Sequence, residues 1–85
     1  MRACVLISHD DPRGDAERAR IVDHFAKFGI EWKPYMGNQY RILFDRSMKI
    51  EVLRKAIRSA PLINVARCEQ RHWCDTATAI KLFQS

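Results

Sequence analysis

The chain has 85 residues, 47% apolar and 29% charged, and its fifteen Lys and Arg against ten Asp and Glu leave a net charge of +5. A chain of this size makes one domain, 1–85, with a small core, and this balance is that of a folded protein and not of a disordered tail. It excludes a spanning helix, because no apolar run approaches the roughly 20 residues that a bilayer requires.

The apolar run behind Arg2 is too short for a signal peptide and meets acidic residues at once, so a cytoplasmic protein is expected. Cys4, Cys68 and Cys74, an odd number without the density of a disulfide scaffold, read as reduced thiols. Excess positive charge favours polyanionic partners, with nucleic acid ahead of a membrane surface since no basic amphipathic anchor stands apart. The plainer reading of the same charge is solubility alone.

Ala3–Ile7 is an unbroken apolar run ending in Ser8-His9-Asp10-Asp11-Pro12, the pattern of a strand in the middle of a sheet. Asp11-Pro12-Arg13-Gly14 reads as a turn, or as an N-cap with Pro at the first helical position. The helix that follows begins between Pro12 and Ala16, carries Ile21, Val22, Phe25 and Phe28 on one stripe, and stops at Gly29. Ile30–Lys33 alternates as a half-buried strand, and Pro34 assigns it to a sheet edge or a bulge. Gly37-Asn38 signals a hairpin into the strand Tyr40–Phe44. Ser47 is placed to cap a second helix with Ile50, Leu53, Ile57 and Ala60 inward and Lys49, Arg54, Lys55 and Arg58 outward. Pro61 ends that helix, Leu62–Ala66 reads as a fourth strand, and residues 73–85 read as a last helix capped at Asp75.

The order βαββαβ with an added C-terminal helix predicts a ferredoxin-like α+β sandwich, its first and third strands central and two helices on one face. The other face is then wet, covered by the tail, or paired with a second copy.

VLISHD before a helix, Phe28-Gly29 at its end, and a following strand with a charged and aromatic centre together resemble the small ferredoxin-fold CRISPR-adaptation family of endoribonucleases and its short bacterial and phage relatives. Asp10 matches the family's strand-end aspartate, with His9 where Tyr is usual, and Phe28-Gly29 stands where Tyr-Gly is usual; the resemblance covers roughly residues 3–68. It implies a homodimer that binds nucleic acid and, in some members, a divalent metal between paired strand-end aspartates.

Asp10 and Asp11 offer hard oxygen ligands for Mg²⁺, and His9 is the candidate base beside them, which would make Asp10 and His9 the catalytic pair of a nuclease. The plainer alternative is turn chemistry, with Asp11 capping a helix and Asp10 solvated. Cys68, His72 and Cys74 lie at C-x₃-H-x-C spacing, with Cys4 the candidate fourth zinc ligand, but small hydrophobes beside a surface His explain the same residues. Tyr40, Ile42 and Phe44 share one strand face near Trp32 and Tyr35, which suits a core better than a base-stacking platform. The candidate phosphate contacts are Arg13, Arg18, Lys33, Arg41, Arg54, Lys55 and Arg58. A competing partner class is a protein or nucleoprotein complex bound by a phage or mobile-element regulator, an anti-CRISPR-like inhibitor without enzymatic activity.

Overall fold

The computed structural model describes residues 2–67, and its element order is β1 (Arg2–Ser8), α1 (Asp15–Ala26), β2 (Glu31–Met36), β3 (Gln39–Asp45), α2 (Ile50–Ser59) and β4 (Ala66–Arg67). Among the described residues the strands form one antiparallel sheet in the order β2-β3-β1-β4. β1 is therefore an inner strand, as its unbroken apolar run requires. It pairs with β3 along its whole length, from Arg2 opposite Asp45 to Ser8 opposite Gln39.

Strand alternation divides the sheet into two faces. Ala3, Val5 and Ile7 of β1 lie on the same face as Trp32 of β2 and Tyr40, Ile42 and Phe44 of β3, through the pairs Ala3–Phe44, Val5–Ile42, Ile7–Tyr40 and Trp32–Ile42. Ile21 and Phe25 of α1 and Leu53, Ala56 and Ile57 of α2 join these residues in one buried core. Both helices thus cover the same face, and the aromatic stripe of β3 is core. The other face carries Arg2, Cys4, Leu6 and Ser8 beside Gln39, Arg41, Leu43 and Asp45, with Glu31, Lys33 and Met36 on β2. Cys4 and Leu6 are buried there as well.

Local chemistry explains where the elements begin and end. α1 starts behind Gly14, and the Glu17 carboxylate reaches back to accept the Arg13 backbone N–H at 2.6 Å. Gly29 ends it in a Schellman motif: at φ 73° it turns the chain so that Ile30 N–H reaches the Phe25 carbonyl at 2.9 Å and its own N–H reaches Ala26 at 3.0 Å. β2 runs on through Pro34 to Met36 with an irregularity between those two residues, and it is an edge strand, where a missing donor costs least.

Three expected boundaries differ. Ser47 does not cap α2: its N–H and hydroxyl both donate to Asp45 Oδ1, closing an Asx turn, and α2 starts behind Lys49 without a side-chain cap. Asp11 is not the cap of α1, because that helix opens at Asp15 and the Asp11 carboxylate accepts a bond from Tyr40. The fourth strand is two residues, Ala66–Arg67, and not Leu62–Ala66. Pro61 and the left-handed Asn64 (φ 57°) keep the apolar run between them in turns, so Ile63 offers its carbonyl to Asp10 N–H at 2.9 Å instead of extending a ladder. The C-terminal helix expected over residues 73–85, and with it Cys68, His72 and Cys74, lies outside the described residues.

Candidate functional site

The end of β1 is the first candidate. His9 continues the alternation of Ala3, Val5 and Ile7, so its ring enters the helix-covered face and not solvent, and it is 1% exposed. There it stacks on Tyr40, with ring centres 4.1 Å apart and planes 10° from parallel, and Tyr40 stacks in turn on Trp32 at 4.8 Å and 12°. The Trp32 indole N–H donates to His9 Nε2 at 3.1 Å, and Nδ1 lies 2.9 Å from the Asp10 carbonyl. An indole N–H only donates and a carbonyl only accepts, so the imidazole is neutral with its hydrogen on Nδ1. Burial is the main cause that holds the His9 pKa below its ordinary 6.5, against the opposing pull of the Asp10 carbonyl and the Asp11 and Asp10 carboxylates.

The acids beside it are held as well. Tyr40 donates its hydroxyl to Asp11 Oδ1, and Asn64 Nδ2 donates to Asp10 Oδ2 at 3.1 Å. Burial first, and then the bond to Asp11 and its charge, push the Tyr40 phenol up to about 12. The Arg18 guanidinium covers the network, its carbon 5.9 Å from the Trp32 ring centre. Backbone bonds from His9 N–H to Asn38 O (3.1 Å) and from Asp10 N–H to Ile63 O tie this strand end to the β2–β3 hairpin and to the turn before β4.

In this arrangement both ring nitrogens of His9 are in use, leaving no lone pair for proton abstraction. Its chemistry here is to satisfy a buried indole N–H, and Asp11 does the same for a buried phenol. Among the described residues no group of three or more His, Cys, Asp or Glu side chains is placed to hold a metal ion. The polar tail of β1 works as a ring-stacked anchor. The sequence carried the signal for it: position 9 has the same parity as 3, 5 and 7, and so faces the core.

The second candidate is the outer surface of α2. Its period turns Leu53, Ala56 and Ile57 inward and leaves Glu51, Lys55 and Arg58 exposed, with Arg54 half-buried. Among the described residues, Arg54, Lys55, Arg58, Ser59 and Glu51 line an open depression of about 450 Å³, three cations against one carboxylate. α2 is tied to α1 by His24, whose Nε2 bonds the Ala56 carbonyl at 2.8 Å, and the Ser59 hydroxyl donates to the Lys55 carbonyl at 2.7 Å.

The structure brings together only part of the predicted basic set. Arg54, Lys55 and Arg58 share the α2 depression, while Arg18 lies over Trp32 and Arg13 precedes α1. Lys33 and Arg41 are register partners on the opposite face of the sheet. Lys33 is paired there with Glu31 at 2.8 Å, and Glu31 is also held by Arg2 at 2.8 Å. Those two partners, Lys33 foremost, lower the Glu31 pKa.

Comparison of the chain with protein-family models, with curated proteins and with solved structures finds no match in any of the three. Among the described residues no helix is long and apolar enough to cross a membrane.

Proposed function

We propose that this chain is a small nucleic-acid-associated protein of ferredoxin-like fold that binds phosphate backbone through the outer face of α2. The observation that carries the reading is the gathering of Arg54, Lys55 and Arg58 around one open depression, with Glu51 the one acid among the described residues that line it. The chain's net charge of +5 supports it, since a polyanion is drawn to such a surface and counterion release then adds affinity. The strand order β2-β3-β1-β4, with both helices on one face, supports the ferredoxin-like assignment. A homodimer is what the CRISPR-adaptation resemblance implies, and binding through α2 does not require it. Such binding requires no catalysis from Asp10, whose carboxylate is bonded to Asn64.

The test is fluorescence anisotropy with a labelled duplex and with the corresponding single strand across a salt series. Each phosphate contact adds about one unit to the slope of log affinity against log salt. Converting Arg54, Lys55 and Arg58 to Gln should remove about three units, whereas Lys33→Gln on the far face should leave the slope intact. Salt-independent binding, or a triple variant that binds like the parent, refutes the reading and favours a protein partner.

A further inference from the structure

We propose that His9 is an acid-responsive latch on the connection between β1 and α1: its bare Nε2 holds the Trp32 indole, and a proton arriving there releases both. This device lies at the strand end and does not depend on nucleic-acid binding by α2.

The neutral imidazole with hydrogen on Nδ1 satisfies both the Asp10 carbonyl and the Trp32 N–H. An imidazolium carries hydrogen on both nitrogens, so Nε2–H would face the indole N–H across 3.1 Å, two donors with no acceptor between them. Water is not at hand to intervene, because His9 is 1% and Trp32 5% exposed. Rotation within the site is resisted by the stack on Tyr40, 4.1 Å away and nearly parallel. The protonated ring is therefore accommodated by leaving.

The charged groups around the ring oppose one another. Asp10 and Asp11, on the chain just beyond β1, favour a cation by their charge. From β2 comes the uncharged Trp32, and from β3 the Tyr40 phenol, neutral until about pH 12. From α1, Arg18 over the Trp32 ring brings a positive charge that disfavours a second one. Burial outweighs the carboxylates, and the neutral form persists below the pH at which an ordinary imidazole is half charged.

Departure of the ring bears on more than one contact. The His9 N–H and Asp10 N–H bonds to Asn38 and Ile63, and the Tyr40 bond to Asp11, all fall within three consecutive residues. A segment that loses its buried anchor opens locally before the domain unfolds. The opened segment presents Asp10, Asp11 and Arg13 differently to any partner. Mild acid is thus the signal, and the β1–α1 connection is the element that moves.

The experiment is NMR of the histidine ring nitrogens across a pH series, with amide exchange recorded on the same samples. At neutral pH His9 should show a protonated Nδ1 and a bare Nε2. Its titration midpoint should lie below the ordinary 6.5 and coincide with a shift of the Trp32 indole N–H resonance. Exchange of the His9 and Asp10 amides, corrected for its intrinsic pH dependence, should rise by up to about tenfold per pH unit between the ordinary midpoint and the lower midpoint of the closed state, and level off below that. His9→Gln keeps an acceptor for the indole but cannot be charged, and should abolish that acceleration. Trp32→Phe keeps the stack without the opposing donor, and should raise the His9 midpoint. The latch is overturned by hydrogen on Nε2 at neutral pH, by a His9 titration that leaves the Trp32 resonance unmoved, or by acid-driven exchange that survives in His9→Gln.

Discussion

Removing the acceptor from the buried ring stack tests whether the polar end of β1 is architecture. In His9→Phe a ring of similar size can still stack on Tyr40, so most of the packing is retained, but the Trp32 N–H is left in a site 5% exposed with no acceptor. An orphaned buried donor costs about 1–3 kcal/mol. The Asp10 carbonyl, which loses its Nδ1–H partner, belongs to an exposed residue and recovers a bond from water. A domain of this size has about 4–13 kcal/mol in total, so the loss is a large fraction of its stability. It should lower Tm by roughly 4–8 °C for each kcal/mol.

Trp32→Phe on its own leaves His9 Nε2 unsatisfied at a comparable cost. The double variant leaves neither group unpaired, and should therefore be more stable than the sum of the two losses by about 1 kcal/mol or more. The assay is urea unfolding of the four proteins followed by far-ultraviolet circular dichroism. Additive losses, or a His9→Phe variant within about 0.5 kcal/mol of the parent, would show that the indole–imidazole bond does not organise this corner.

Stability against pH should fall in two stages. The depressed His9 pKa means that the unfolded chain takes up its proton first, so that contribution is complete above about pH 6.5 and is lost as pH falls below it. Glu31 and Asp45, lowered by Lys33 and by Ser47 respectively, contribute above the ordinary carboxylate range and lose that contribution at lower pH. Urea midpoints measured across this range should show His9→Gln lacking the upper stage, and a parent protein that becomes more stable on mild acidification contradicts the assignment. At the alkaline end, the Tyr40 pKa is raised to about 12, so its contribution is complete below about pH 10 and is lost as pH climbs toward 12. Asp11→Asn removes the carboxylate and should bring the Tyr40 step in a phenolate absorbance titration down toward 10, and an unchanged step would mean that burial alone sets it.

The inner position of β1, the edge position of β2, the Gly29 stop and the buried positions Ile21, Phe25, Leu53 and Ile57 were legible because each follows from a period or a single backbone constraint, whereas Val22, expected on the same stripe, is exposed. Ala3–Ile7 is apolar without interruption, Pro34 lacks a donor, and Gly29 takes a left-handed turn. The misread boundaries share a different cause. Ser47, Asp11 and the apolar run before Ala66 each had a local partner to choose, and local pattern does not reveal which partner is nearer in space. Ser47 was drawn to Asp45 two residues back, and Asp11 to Tyr40, brought from β3 by the sheet register. His9 was half legible. Its parity with Ile7 aims it at the core, but that Trp32 would meet its Nε2 depends on β3 lying between β1 and β2. The cations, too, are separated by the sheet, with Lys33 and Arg41 on one side of it and the α2 set on the other.

The cations of α2 have two physical roles that a binding experiment must separate. Arg58 lies in the last turn, where the helix dipole favours positive charge by about 0.3–1 kcal/mol whether or not a ligand is present. Lys55 lies one residue before that turn, on the same exposed surface and in the same depression. The dipole term falls off within the last turn, so Lys55→Gln should leave the urea midpoint nearly unchanged while Arg58→Gln lowers it slightly. Both substitutions should take about one unit from the salt slope of duplex binding. If Arg58→Gln loses stability and neither variant alters the slope, these charges serve the helix alone and the depression is not where a polyanion sits.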